Sequence, residues 1–317
     1  MIGRRFVLVA AAAALLGTAC RAPSEIRPAF TREKDAPEGG LRGSIVYTGR
    51  EATDSALFVL VPGDANAVRL TAGDSFERAP ALSPDGTRLA FAVVDADRGG
   101  IYTSAVDGTD RTPVVRGEGV FDHPTWSPDG RRIAYAFTDG PASSWDLYVV
   151  NVDGEDRRRL TEEPSQDWYP AWSPDGGRIA FTSDRDGDNA IWTLDVDSGD
   201  ATKLVDSEGD DQEPAWSPDG TRLLYTSNRE LERWQLWIWD IASATESLLL
   251  RTTSMDRFPT WSPDGEYVVA SVGYLAAYRA DGGKFPDDAD RWKLTDDLAL
   301  TSAWADRVLP SATGGSA

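Results

Sequence analysis

The amino-acid sequence predicts an all-β protein, a six-bladed β-propeller whose blades are four-stranded antiparallel sheets. The first observation is a repeat, because Ser-Pro-Asp-Gly occurs five times with spacings of 44, 46, 44 and 45 residues. Second, each copy is followed by short apolar and aromatic runs separated by Gly and Asp turns, which is a hairpin pattern. Third, no segment beyond residue 19 shows a sustained helical period of apolar residues. A period of this size with four strands per unit is typical of propeller blades. The copies begin at Ser83, Ser127, Ser173, Ser217 and Ser262.

The N-terminus has the features of an export signal. Arg4 and Arg5 precede an apolar run over residues 6–16, which is shorter than the roughly 20 residues of a membrane-spanning helix. Small residues then lead to Cys20, the only cysteine of the chain. Residues 16–20 resemble the lipobox of bacterial lipoproteins, although an ordinary cleaved signal is the alternative. We therefore predict a signal peptide over residues 1–19, lipidation at Cys20, and a polar, Pro- and Gly-rich tether over residues 20–42.

The propeller is predicted to span residues 43–308. The motif accounts for five blades, and the flanking segments supply the sixth. Residues 44–48, 56–59 and 68–71 match the last three strands of a unit, whereas residues 302–306 match the first strand. Because a C-terminal strand paired with three N-terminal strands would close the ring, we expect the two ends of the propeller to meet in one blade. Residues 309–317 are predicted to be a disordered tail.

The motif itself has a structural explanation. Pro-Ala-Trp would form the innermost strand, and Ser-Pro-Asp-Gly would form the tight turn that follows it. A tryptophan precedes the turn in most units, and a side chain of this size buries enough apolar surface to wedge neighbouring blades together. The recurring tryptophans are Trp126, Trp172, Trp216, Trp261 and Trp304, with Leu82 in the remaining blade.

The recurring x-P-x-W-S-P-D-G-x-x-I-A-F pattern resembles the WD-like Pro-Asp repeat of TolB-type propellers, which is also found in the propeller domains of prolyl oligopeptidases. The resemblance covers about residues 43–308 and implies the propeller fold. It does not imply one function, because a propeller scaffold hosts many unrelated tasks. The sequence contains neither a counterpart of the N-terminal α/β domain of TolB nor a G-x-S-x-G nucleophile motif. We therefore expect neither a role in the Tol system nor peptide cleavage.

The histidine content excludes several kinds of catalytic site. His123 is the only histidine, which rules out sites with several histidine ligands and leaves at most one Ser-His pair. Paired carboxylates hydrolyse glycosides without histidine, so a carboxylate-dependent carbohydrate-active enzyme, hydrolase or lyase, remains the alternative. We expect a protein that is not an enzyme.

The predicted binding site is the mouth of the central channel, at the loops that enter the innermost strands. Acidic residues recur three positions before the strand-opening proline, or two positions before it in the third blade: Glu77, Asp122, Asp167, Asp211 and Asp256. They either fix the loops by accepting backbone hydrogen bonds or focus negative potential on a cation, a basic peptide or a partner's loop. Nearby residues that break the repeat are stronger candidates for binding: His123, Trp168, Tyr169, Arg257 and Phe258.

A calcium site is a further candidate. Asp184, Asp186 and Asp188 alternate along one segment, and carboxylate oxygens suit Ca²⁺. The glycine does not stand where a calcium-binding loop requires it, and a plain hairpin turn is the favoured interpretation. We expect no other cofactor.

The charge of the chain limits its partners. With 52 acidic and 32 basic residues, the net charge of −20 argues against direct binding to nucleic acid or to anionic lipid headgroups. Membrane contact is therefore expected only through lipidated Cys20. We predict a monomeric lipoprotein of the cell membrane or outer membrane that faces the periplasm or the exterior. Its propeller would bind an envelope protein or peptide, a small ligand or a cation in the channel. A structural envelope protein with no small ligand is a third possibility.

Overall fold

The computed structural model describes residues 41–305 except 51–54, 63–65, 72–74, 96, 98, 163, 231–232, 251–254, 282–291 and 296–298. The predicted signal peptide, Cys20, nearly all of the tether and the C-terminal tail lie outside the described residues. Among the described residues, no helix has the length and apolar character needed to cross a membrane.

Twenty-four strands form six four-stranded antiparallel sheets, as the sequence predicts. Blade 1 contains β1 (Ser44–Arg50), β2 (Ser55–Leu60), β3 (Val68–Arg69) and β24 (Ala299–Ala305). Blade 2 contains β4 (Phe76–Leu82), β5 (Arg88–Val94), β6 (Gly100–Ala105) and β7 (Thr112–Arg116). Blade 3 contains β8 (Val120–Trp126), β9 (Arg132–Thr138), β10 (Asp146–Asn151) and β11 (Arg158–Arg159).

The remaining three blades follow the same order along the chain. Blade 4 contains β12 (Asp167–Trp172), β13 (Arg178–Ser183), β14 (Ala190–Asp195) and β15 (Ala201–Val205). Blade 5 contains β16 (Asp211–Trp216), β17 (Arg222–Ser227), β18 (Gln235–Asp240) and β19 (Thr245–Leu250). Blade 6 contains β20 (Arg257–Trp261), β21 (Tyr267–Ser271), β22 (Leu275–Arg279) and β23 (Trp292–Lys293).

The ring closes through the predicted pairing of the two chain ends. β24 lies beside β1 in antiparallel register, with Ile45 opposite Trp304 and Val46 opposite Ala303. The strands β24, β4, β8, β12, β16 and β20 contact one another in a closed circle, so they are the innermost strands. The seam of the propeller is therefore a complete blade with a paired inner strand.

Each pair of neighbouring blades encloses its own apolar cluster. Between blades 4 and 5, for example, Trp216 packs with Ala180, Ile191 and Tyr225, all of which are buried. The indole Nε1 of Trp216 also donates to the carbonyl oxygen of Ala171 in blade 4, at 3.2 Å. The recurring tryptophans thus act as the predicted wedges between blades.

The Ser-Pro-Asp-Gly segments form the predicted turns. In the first copy, the hydroxyl of Ser83 donates to Asp85 Oδ1 at 2.6 Å, and the amide of Gly86 donates to the Ser83 carbonyl at 2.8 Å. Gly86 has a φ of 63°, a left-handed value that glycine adopts readily. The Ser83 and Thr87 hydrogen bonds hold the pKa of Asp85 below its usual value. The same geometry recurs at the other four copies.

Candidate functional site

The innermost strands bulge where they approach the channel axis. In blades 2 to 6 the register with the next strand shifts just before the strand-opening proline. The residue before each proline has a left-handed backbone, with φ between 47° and 58°. Non-glycine residues rarely adopt this conformation, and it costs on the order of 1–3 kcal/mol. These five residues are Ala79, His123, Tyr169, Glu213 and Phe258.

Neighbouring blades satisfy the amide groups that the bulges remove from the ladder. The amide of Ala79 donates to Thr48 Oγ1 in blade 1 at 3.1 Å. The amide of Glu213 likewise donates to Thr182 Oγ1 in blade 4 at 3.2 Å. These bonds cross from one blade to the next and hold Ala79 and Glu213 in place. The five strained residues and Thr301 of β24 form an axial ring of six residues, which all border the channel cavity.

Three members of the axial ring meet as an aromatic cluster. The ring centroids of His123 and Tyr169 lie 4.4 Å apart in an edge-to-face arrangement. The Phe258 ring lies 6.2 Å from His123 and 6.1 Å from Tyr169. Trp168 extends the cluster, with its centroid 6.3 Å from that of Tyr169. Blades 3, 4 and 6 thus bring their aromatic side chains together at the axis.

A buried ion pair supports the cluster on the side of blades 5 and 6. Glu213 accepts two hydrogen bonds from Arg257 at Oε1, from Nε at 2.8 Å and from Nη2 at 2.5 Å. Its other oxygen accepts the amide of Phe258 at 2.7 Å and the hydroxyl of Thr226 at 3.1 Å. The Arg257 guanidinium also stacks 4.2 Å from the Trp234 ring. Since the carboxylate is almost fully used in this way, it positions Phe258 and is not a free acidic ligand.

The surroundings of His123 favour its neutral form. Burial lowers the pKa of its imidazole, and the nearby Asp122 carboxylate offsets part of this effect. Asp122 Oδ1 accepts the backbone amide of His123 at 3.0 Å and lies 3.4 Å from its Nδ1. The other Asp122 oxygen pairs with Arg78 of blade 2 at 2.8 Å. Asp122 therefore orients the histidine and links blades 2 and 3.

A cavity of about 340 Å³ lies in the channel beside the axial ring. Its wall continues from the ring along the innermost strands to Trp126, Trp304 and Pro84. It therefore occupies the half of the channel that faces the Ser-Pro-Asp-Gly turns. The loops predicted from the sequence to form the binding site lie at the opposite end of these strands, whereas His123, Tyr169 and Phe258 of the same prediction border this cavity. The bulges explain the difference, because they turn the pre-proline residues towards the axis.

The four carboxylates at the third position before the proline do not line the channel, which corrects the expectation of an acidic ring. Their side chains are fully buried within the blades: Glu77, Asp167, Asp211 and Asp256. Arg111, Arg185 and Arg229 pair with the first three, and Tyr278 Oη donates to Asp256 Oδ1 at 2.9 Å. Burial of Asp211 raises the pKa of its carboxyl, while Ser227 and Arg229 act in the opposite sense. The geometry matches the alternative role of fixing the loops.

The three aspartates of the calcium candidate face different partners. Asp184 Oδ1 accepts the amide of Gln166 at 2.7 Å, whereas Asp186 pairs with Lys203 at 2.9 Å. The amide of Gly187 donates to the Asp184 carbonyl, which closes a hairpin turn before Asp188. No group of three or more potential metal ligands occurs in the part of the chain that the structure describes.

Several residues of the site were not predicted from the sequence. Ala79, Glu213 and Thr301 belong to the axial ring. Arg78 and Gln212 directly precede Ala79 and Glu213 in the chain. One feature of the sequence could have identified them. The residue before the strand-opening proline varies between blades while the motif around it repeats. That pattern does not reveal a bulge. The acidic residues three positions before the proline were therefore predicted to line the channel instead.

Comparison with known proteins identifies the family. Residues 39–277 match the family model described as the TolB beta propeller domain. TolB from Acinetobacter baumannii is 22% identical, with a TM-score of 0.71 over 83% of this chain and 66% of that chain, just under two thirds. A protein assigned as TolB from Agrobacterium tumefaciens is 23% identical, with a TM-score of 0.64 over 82% of this chain and 91% of that chain.

A nidogen/laminin complex also contains a similar fold, at 14% identity and a TM-score of 0.65 over 84% of this chain and 100% of that chain. At these identities the solved structures establish the shared fold alone. No curated protein matches the chain. The family match covers most of the described blades, and the chain therefore belongs to the TolB beta propeller domain family.

Proposed function

We propose that this propeller is an exported, non-catalytic binding module that holds a protein or peptide partner at its central channel. The observation that carries the proposal is the aromatic cluster of His123, Tyr169 and Phe258 at the floor of the channel cavity. Aromatic side chains in concave, partly apolar pockets dominate the energetics of recognition. The left-handed backbone at all three positions, the bond from the Phe258 amide to Glu213 and the bond from the His123 amide to Asp122 position these rings before a partner arrives, which reduces the entropy cost of binding.

The environment of the partner follows from the N-terminal sequence. An export signal and a lipidated Cys20 would place the propeller at the cell envelope, tethered by residues 20–42. The carbohydrate-active enzyme alternative gains nothing from the geometry, because the conspicuous carboxylates are buried in pairs with arginine or tyrosine. The Glu213 carboxylate already accepts hydrogen bonds from Arg257 and the Phe258 amide, which suits positioning of the aromatic cluster better than proton transfer.

Selection of displayed random peptides on the immobilised protein tests this proposal. Peptides that bind the wild-type protein should lose at least about tenfold in affinity for a Tyr169→Ala, Phe258→Ala double variant, because both aromatic contacts disappear. Val152→Ala is the matched control, since Val152 is exposed in an outer turn away from the channel. Fluorescence anisotropy measures the affinities. Failure to enrich any peptide, or equal binding to the double variant, would show that the channel is not the binding site.

A further inference from the structure

Blades 2 and 3 carry an arginine at the same position of the same turn. The turn reads Asp-Gly-Thr-Asp-Arg before Thr112 and Asp-Gly-Glu-Asp-Arg before Arg158. The aspartate before each arginine has a left-handed backbone, with φ of 53° at Asp110 and 54° at Asp156. Arg111 and Arg157 therefore leave equivalent points of the two blades, and their surroundings can be compared directly.

In blade 2 a buried carboxylate neutralises the arginine. The Arg111 guanidinium stacks on Tyr102 and Phe91, with its Cζ 4.8 Å and 5.3 Å from the two ring centroids. Its Nη1 lies 2.5 Å from Oε1 of Glu77. Blades 4 and 5 build the same arrangement from arginines that follow a different strand, with Arg185 paired to Asp167 and Arg229 paired to Asp211.

In blade 3 the carboxylate is missing. The position of Glu77 is taken by Phe121, which lies opposite Phe137 as Glu77 lies opposite Val93. Arg157 stacks on aromatic rings, with its Cζ 4.7 Å from Tyr148 and 4.9 Å from Phe137. None of the described residues forms an ion pair with Arg157.

A tyrosine hydroxyl in blade 3 also lacks the carboxylate partner that its equivalent has in blade 5. The hydroxyl of Tyr225 in blade 5 accepts from Arg229 at 2.7 Å and donates to Glu246 at 2.8 Å. The equivalent Tyr135 of blade 3 is fully buried and lies beside Arg157, but no carboxylate of the described residues accepts from its hydroxyl. Blade 3 therefore lacks both the carboxylate that Glu77 supplies in blade 2 and the one that Glu246 supplies in blade 5.

An open cleft of about 500 Å³ adjoins Arg157. It lies on the face of blade 3 that packs against blade 2, and the connection between these blades forms one wall. The floor is aromatic and the rim is charged. The lining side chains are Glu118, Phe121, Phe137, Asp139, Tyr148 and Arg157.

We propose that this cleft binds an external carboxylate that is attached to a flat apolar group. The carboxylate would take the place that Glu77 has in blade 2 and accept hydrogen bonds from the Arg157 guanidinium, whose planar fork suits that geometry. The apolar group would lie on Phe121, Phe137 and Tyr148. Glu118 and Asp139 on the rim would repel a second negative charge, so the ligand is a monocarboxylate. This site is separate from the channel and does not depend on the function proposed for it.

Titration of the full-length protein with phenylacetate, monitored by ligand-detected NMR, tests the proposal. The acid should bind at least about tenfold more tightly than phenylacetamide, because only the acid forms a charge-assisted hydrogen bond. Arg157→Gln should remove this difference. Arg131→Gln is the matched control, since it removes an exposed arginine from another turn of blade 3 and should leave the difference intact.

A second variant tests the internal comparison. Phe121→Glu should place a carboxylate next to Arg157, as in blade 2. The new side chain should form an ion pair with the guanidinium and so abolish phenylacetate binding. A tetrapeptide ending in phenylalanine, with a free or an amidated C-terminus, distinguishes the source of the ligand. Tighter binding of the free peptide than of phenylacetate would indicate a chain terminus, and weaker binding would indicate a small molecule. The proposal is overturned if Arg157→Gln binds phenylacetate as the wild type does, if the amide binds equally well, or if neither acid binds at millimolar concentration.

Discussion

At the scale of single residues, the channel is built from strained positions. The pre-proline residues have left-handed backbones, and bonds from the adjoining strands and side chains hold them there. Strain of this kind persists only where the surrounding structure determines the conformation, and it concentrates at binding sites. His123 is the member of the axial ring whose protonation would change the charge near neutral pH.

We predict that His123 makes folding stability fall as the pH drops below about 6.5. Burial lowers its pKa in the folded protein, so the unfolded chain binds a proton first as the pH falls. The stability contribution is therefore complete above about pH 6.5 and is lost at lower pH, by at most about 1.4 kcal/mol per pH unit. Urea denaturation of the wild type and of His123→Gln measures it.

The variant should show a flatter dependence in this window, because His123 is the only histidine of the chain. Asp211 has a raised pKa and acts in the opposite direction in both proteins, so the comparison removes its effect. Equal slopes for the two proteins would mean that His123 titrates in the folded state as it does in the unfolded chain.

At the scale of strands and turns, one tryptophan joins neighbouring sheets in every blade except blade 2, where Leu82 takes its place. Trp126, Trp216 and Trp261 donate their indole Nε1 to a carbonyl of the preceding innermost strand, at 3.0–3.2 Å. Trp304 donates to the Arg42 carbonyl instead, at 2.7 Å. The indole nitrogen of Trp172 is buried but makes no hydrogen bond within the described residues. The wedges therefore share their packing and differ in one polar contact.

We predict that Trp216→Phe destabilises the protein by about 1 kcal/mol more than Trp172→Phe does. Both changes remove similar apolar surface, but only the first leaves a partly buried carbonyl, that of Ala171, without its indole donor. The free energy of unfolding from urea titration measures the difference. If Trp172→Phe costs as much or more, then packing alone decides the stability of the wedges.

These elements show how far the sequence determines the fold. The short apolar and aromatic runs, the Ser-Pro-Asp-Gly turns and the tryptophan period are local patterns, and each predicted its structure correctly. The bulge before each proline is not local, because it depends on an acceptor such as Thr48 or Thr182 in the adjoining blade. Because the sequence does not reveal the bulge, Glu77 and Asp167 were predicted to face the channel, although they are buried inside the blades.

At the scale of the whole molecule, the pairing of β24 with β1 closes the ring. Trp304 is buried in the cluster between blades 6 and 1, and Thr301 contributes to the axial ring. Thr301 Oγ1 also lies 2.9 Å from Thr48 Oγ1 and accepts the Ala79 amide at 3.0 Å. The C-terminal strand therefore supports both the seam and the channel.

We predict that a chain ending at residue 298 loses at least about 3–5 kcal/mol of stability, the usual cost of removing one buried tryptophan. It should also self-associate, because β1 becomes an unpaired edge. A chain ending at residue 308 is the control and should match the full chain. Thermal unfolding and analytical ultracentrifugation measure the two effects. A monomeric shorter chain of normal stability would show that the seam is dispensable.

Site-specific photocrosslinking in the native cells would show whether a partner occupies the channel from the side of the Ser-Pro-Asp-Gly turns. A photoreactive side chain at Thr260 would border the channel cavity, whereas one at Met255 would lie exposed before the same strand at the opposite end. We predict a discrete crosslinked partner from position 260 and none from position 255. A crosslink from position 255 without one from position 260 would contradict this account.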